Sequence, residues 1–144
     1  MKKCSVYFRG GEIYVLASAR DVFGIDRSVE PFTRLSRQVA AQELGRAVLD
    51  ALAAYRENIP GKTYVRGVKD LPHPFLLFAS FKSWKAFEKG VVYFMISDSG
   101  PEIEIMPTVP AEKGGYLHQP DKALRCQAQP EAIGSLLLQQ VSQG

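Results

Sequence analysis

The 144-residue sequence is poor in the residues that staple, ligate and catalyse: it has two cysteines, two histidines and one tryptophan. Cys4 and Cys126 lie near opposite ends of the chain, and no secretion signal accompanies them. Reduced thiols in a cytoplasm are therefore expected, rather than a disulfide framework. Metal sites need three or four ligands at short spacings, and Cys4, Cys126, His73 and His118 show none. No metal and no other cofactor is expected. Lys2-Lys3 followed by apolar residues imitates the start of a signal peptide, but the run stops at Arg9. The longest apolar stretch, Val91 to Ile96, is strand-sized and far short of the roughly 18 residues that span a bilayer. An excess of one charge is missing too. Eighteen Lys and Arg against 15 Asp and Glu leave +3, below the dense basic stripe of a nucleic-acid binder.

What is present is a 46% hydrophobic chain of one domain's length, so a single α+β domain over 1–144 is expected. Ser5–Phe8, Gly10-Gly11 and Glu12–Ala17 read as a β-hairpin, two β-favouring runs about a glycine pair. Ser18–Leu35 shows poor periodicity and reads as a long connection with turns. Leu44, Val48, Ala51, Leu52 and Tyr55 recur at helical spacing, predicting a helix from about Arg37 to Glu57 with Ser36 as N-cap. Asn58-Ile59-Pro60-Gly61 would stop it. Residues 60–75 read as a loop with a short strand at Thr63–Val65, and Leu76–Ala79 as a strand or the start of a helix.

Ser83–Lys89 predicts a short helix capped by Ser83 and closed by Gly90. A second hairpin follows, Val91–Ser97 and Glu102–Met106 about Asp98-Ser99-Gly100-Pro101, with Ile103 and Ile105 inward and Glu102 and Glu104 outward. Residues 107–121 read as a loop, Lys122–Gln127 as an edge strand, and Pro130 to about Val141 as a final helix with proline at its first position. Hairpins and helices are segregated, which favours an antiparallel α+β sheet over a doubly wound one.

Few motifs carry chemistry. Neither the dinucleotide fingerprint nor the P-loop is present, and no helix follows Gly114-Gly115 to hold a phosphate. His73, held between Pro72 and Pro74, reads as a structural loop residue. His118, with Glu112 and Asp121 near in sequence, could be oriented as a base, but no nucleophile elbow accompanies it. Glu102 and Glu104 lie about 7 Å apart on one strand face, where a solvated pair explains them better than glycoside chemistry. Trp84 and Phe87 share a face between Lys82, Lys85 and Lys89, which a core-facing aromatic pair with a solvated lysine face explains without nucleic acid.

Charge is uneven along the chain. Residues 1–69 hold 12 basic and 7 acidic residues, net +5, and residues 70–144 hold 6 and 8, net −2. The acidic excess gathers around Asp98, Glu102, Glu104 and Glu112. An acidic face on a small domain suits rapid encounter with a basic partner.

The Ser5–Ala17 hairpin leading into a long helix, Lys82–Gly90 running into Val91–Ser97, Glu102–Pro107 and Gly114–His118 together resemble the immunity proteins of bacterial contact-dependent growth inhibition and related polymorphic toxin systems. The resemblance spans most of the chain. It implies a cytoplasmic, non-enzymatic protein that binds the toxin domain of a large secreted or surface effector and blocks its active site, the toxin often being a nuclease with a basic cleft. The overall basic balance departs from the strongly acidic immunity proteins. The family offers no shared binding motif, so the interface is read from charge and loop composition alone: Asp98, Glu102, Glu104, Glu112, Tyr116, His118 and Asp121. The alternative is a small enzyme or ligand-binding domain around His118, Tyr116 and Glu112.

Overall fold

Gly10, at φ +58°, turns the chain between β1 (Lys2–Arg9) and β2 (Glu12–Asp21), which pair antiparallel with Arg9 opposite Glu12 and Cys4 opposite Ala17. The computed structural model describes residues 1–61 and 73–142. Further along come β3 (Asp26–Ser36), α1 (Ala41–Ala53), β4 (Arg56–Ile59), α2 (Pro74–Ala79) and α3 (Trp84–Glu88). After these come β5 (Val92–Asp98), β6 (Glu102–Pro110), β7 (Tyr116–His118), a 3-10 turn at Pro120–Lys122, β8 (Leu124–Gln127) and α4 (Pro130–Ser142). The eight strands among the described residues form one sheet with the path β3-β2-β1-β5-β6-β7. The far edge of β6 is divided, with β8 beside Glu102–Ile105 and β7 beside Thr108–Pro110. All pairings are antiparallel except that of β4, which joins β2 in parallel at Ala19 and Asp21, past the β1 ladder. The expected α+β class is the observed one. No helix among the described residues is long and apolar enough to cross a membrane.

Strand alternation sorts side chains onto two faces. One carries Val6, Phe8, Ile13, Val15, Phe94, Ile96, Ile103 and Ile105, and is covered by Leu44, Val48 and Leu52 of α1 and Ile133 and Leu137 of α4. The other carries Tyr7, Tyr14 and Leu16 under Phe75, Leu76 and Ala79 of α2 and Phe87 of α3. Each fully buried large side chain contributes about 1.5–3 kcal/mol, so the two-sided burial of β1 and β2 dominates the fold.

Several sequence expectations change. Ser18–Leu35 is no connection: β2 runs on to Asp21, Gly24 turns at φ +80°, and β3 returns along it. β3 alternates poorly because it is an edge strand, half-exposed and carrying Pro31. The long helix is shorter at both ends. Ser36 ends β3, and its Oγ accepts from the Gln38 N–H in a turn, while the helix starts after Ala40 with no side-chain cap. At the other end the N–H of Ala54 folds back onto the carbonyls of Asp50 and Ala51, and Arg56–Ile59 becomes a strand. The expected strand at Thr63–Val65 lies outside the described residues. Leu76–Ala79 resolves to helix, capped by His73 rather than by Ser, Thr or Asp. Residues 107–121 are not one loop, since β6 extends to Pro110 and β7 pairs with it. The two hairpins, the Ser83-capped helix, the β8 edge and the Pro130 helix stand as read.

Two glycines set the helix layer. A Cβ at Gly45 of α1 would collide with the backbone of Pro130, and one at Gly134 of α4 with the backbone of Ala41. The helices therefore cross backbone to backbone. Helix propensity favours Gly→Ala by about 0.8–1 kcal/mol, but overpacking against backbone costs about 1–3 kcal/mol. We expect Gly45→Ala and Gly134→Ala each to lower the urea midpoint. A raised midpoint would show that the helices can separate without cost.

Candidate functional site

The α2–α3 pair covers only part of its sheet face. At the Asp26 end the same face turns polar, with Lys3 and Ser5 of β1, Ser18 of β2, Arg27 and Ser28 beside the turn, and Met95 of β5 along a trough. Where the trough meets α3 it widens into a cleft of about 500 Å³. Tyr7, Asp26, Arg27, Ser28, His73, Trp84, Glu88 and Tyr116 line it.

Each wall follows from local structure. Ser83 Oγ accepts from the Ala86 N–H and starts α3, which turns Phe87 into the core and leaves Trp84 and Glu88 half-buried at the rim. His73 Nδ1 accepts from the Phe75 N–H, which satisfies one of the orphan donors at the start of α2. Its Nε2 therefore carries the proton and donates to the Ser28 carbonyl at 3.1 Å. One ring thus ties α2 to β3 and packs edge-on to Trp84, a structural role in agreement with the sequence reading. Tyr7 stacks on Tyr93 at 4.6 Å between centroids, and Tyr116 meets Tyr93 at 4.9 Å.

The charges divide into satisfied and unsatisfied. Asp21, 2% exposed, accepts the N–H groups of Phe23 and Ile25 and pairs with Arg27 at 2.7 Å. Burial raises its pKa, but the Ile25 N–H, Arg27 and the Phe23 N–H outweigh that and hold the carboxyl below its ordinary range. Asp26 pairs with Lys3 and Arg20, each at 3.2 Å. Glu88 makes no ion pair among the described residues, and burial pushes its carboxyl up. Burial, then Glu88 and Tyr93, push the Tyr116 phenol up to about 12. The Tyr116 hydroxyl is a buried polar atom with no hydrogen-bond partner among the described residues. Tyr7 is raised by burial first, with Tyr93, Tyr116 and Glu88 adding to it.

Of the residues singled out from sequence, Tyr116 lines this cleft and Glu104 lies on the same sheet face, pairing with Arg125 of β8 at 3.3 Å. Asp98 ends β5, its Oδ1 accepting from the Gly100 N–H, and Glu102 begins β6, exposed. Glu112, His118 and Asp121 are exposed on the β6–β7 arm and the turn after it. Neither Glu112 nor His118 lines the clefts that Tyr116 lines. Sequence reasoning missed Tyr7, Asp26, Arg27 and Glu88, which come from β1, β3 and α3 and carry no shared motif. Phe87 is buried in the core with Trp84 half-buried against it, while Lys82, Lys85 and Lys89 face solvent. No group of three His, Cys, Asp or Glu side chains able to hold a metal forms among the described residues.

The sequence matches no protein-family model and no curated protein. Its fold, however, is shared with solved structures. A protein of unknown function from Neisseria meningitidis superposes with a TM-score of 0.71 at 15% identity, over 95% of this chain and 92% of that one. A chain of the CdiA-CT/CdiI toxin and immunity complex from Yersinia pseudotuberculosis does so with a TM-score of 0.69 at 17% identity, over 95% and 94%. The fold is common to all three. At these identities the likeness is one of architecture.

Two outcomes follow from the site. Asp21 has a depressed folded-state pKa, so its stabilising contribution is present above the unfolded value of about 3.9 and fades as pH falls through the lower folded one. Asp21→Asn should destabilise at pH 7, and urea titrations should show its gap from wild type narrowing below pH 4; a gap constant with pH rejects this linkage. Tyr116→Phe removes an unsatisfied hydroxyl, so its Tm should equal or exceed that of wild type.

Proposed function

We propose that this chain is the immunity component of a toxin–immunity pair and neutralises its cognate toxin domain by tight, non-enzymatic binding in the cytoplasm. The observation that carries this reading is the whole-chain likeness to a chain of the toxin–immunity complex, with both chains covered almost end to end. The sequence resemblance to immunity proteins points the same way. The toxin belongs to a large secreted or surface effector, and a nuclease with a basic cleft is the kind of partner that the acidic groups suit.

The contact surface we assign runs from the cleft over the polar sheet face to the β6–β7 arm. It takes in Tyr116 with Glu102, Glu104, Glu112, His118 and Asp121, and reaches Asp98 at the sheet rim, where that residue ends β5 opposite Ile103 of the other face. Glu102, Glu112 and Asp121 are exposed, so their charges act over distance and steer encounter. Glu104 is already paired with Arg125 and adds less to that field. Tyr116, backed by Tyr93, is the aromatic anchor.

The test is co-expression with the carboxy-terminal domain encoded by the gene next to this one. Protection from growth arrest and co-purification of the two chains support the reading; a well-expressed, folded chain that neither protects nor binds ends it. Replacing Glu102, Glu112 and Asp121 by Lys should slow association with that domain about tenfold at low salt, with the difference shrinking as salt rises.

A further inference from the structure

We infer that the cleft between α3 and the sheet receives an arginine side chain of the partner protein, held between the Glu88 carboxylate and the rings of Tyr116, Tyr7 and Trp84. The inference rests on the immunity reading for the identity of the partner and on the cleft alone for the chemistry. The other charges of the cleft are already spent. Arg27 is bound to Asp21, and Asp26 holds both Lys3 and Arg20. Glu88 is the cleft carboxylate left without a cation among the described residues, although Lys85 and Lys89 lie on the same short stretch of chain. A half-buried carboxylate raised by desolvation gains from a cation that reaches it inside the cleft rather than across water.

The walls favour a guanidinium over an ammonium. Tyr7, Trp84 and Tyr116 present aromatic surface to the same space as Glu88, and a planar cation stacks on such surface while its N–H groups stay free for the carboxylate. The Tyr116 hydroxyl is buried and has no hydrogen-bond partner among the described residues. A lysine ammonium is more strongly hydrated and has no planar face to lay on a ring while it donates to the carboxylate.

The lone tryptophan, Trp84, lines the cleft and reports on it directly. The experiment titrates the full chain with N-acetyl-arginine methylamide and follows Trp84 emission. A saturable change with a Kd near ~10 mM is expected, a scale suited to one charge-assisted contact. The lysine analogue should bind several-fold more weakly and the norleucine analogue not at all. Glu88→Gln should weaken the arginine amide about tenfold with the thermal midpoint held. No saturable response, equal binding of the lysine or norleucine analogue, or an unchanged affinity in Glu88→Gln would overturn the proposal. Tighter binding of free L-arginine than of the blocked form would assign the cleft to a small molecule and overturn it likewise. The titration needs no toxin, so its failure is separable from a failure of the co-expression test.

Discussion

The central strands β1 and β2 must be dry on both faces, and the rest of the architecture answers that demand. Residues 4–8 and 13–19 are buried without a break, so inward and outward side chains alike need cover. An antiparallel sheet with one wet face needs a single helical layer. This one needs two. The first is supplied by α1 and α4, which lie close because Gly45 and Gly134 carry no Cβ. The second is supplied by α2 and α3, with 6 and 5 residues, too short to cover the whole face. The rest of that face carries the buried hydroxyls of Ser5 and Ser18 beside Lys3 and the Asp26 ion pairs. Beyond α2 and α3, small hydroxyls and paired charges take the place of apolar side chains, and the cleft lies at that boundary.

How much of this was legible in the sequence follows from which interactions are local. The two hairpins announce themselves through turn glycines and two-residue alternation, and α3 through its serine cap. Strand β3 does not, because its partner β2 decides its conformation and its solvent side leaves no pattern to read. The helix was over-extended for a related reason. Arg37–Ala40 and Arg56–Asn58 have tolerable helix propensity, but the first follows a turn fixed by Ser36 and the second pairs with β2. His73 was legible as structural from its flanking prolines, while its bridge to Ser28, 45 residues away, was not. The cleft was hidden for the same reason: its walls meet only after β1, β3 and α3 are in place.

The charge split along the chain illustrates how folding rewrites a linear signal. A net +5 in residues 1–69 and −2 in residues 70–144 suggest a basic half and an acidic half. The topology interleaves them instead. Strand β1, from the basic half, lies between β2 and β5, with Lys2 opposite Asp98 and Lys3 opposite Ser97. Within the acidic half, Glu104 spends its charge on Arg125. Charge that remains unspent is therefore a better guide to a partner than charge that is merely present. By that measure Glu102, Glu112 and Asp121 form a dispersed exposed set suited to attraction at a distance. Glu88, the cleft carboxylate without an ion pair among the described residues, suits recognition at contact. On the proposed reading as a toxin-binding protein, rapid encounter and a firm hold call for both, and the two kinds of acidic group sit on different elements.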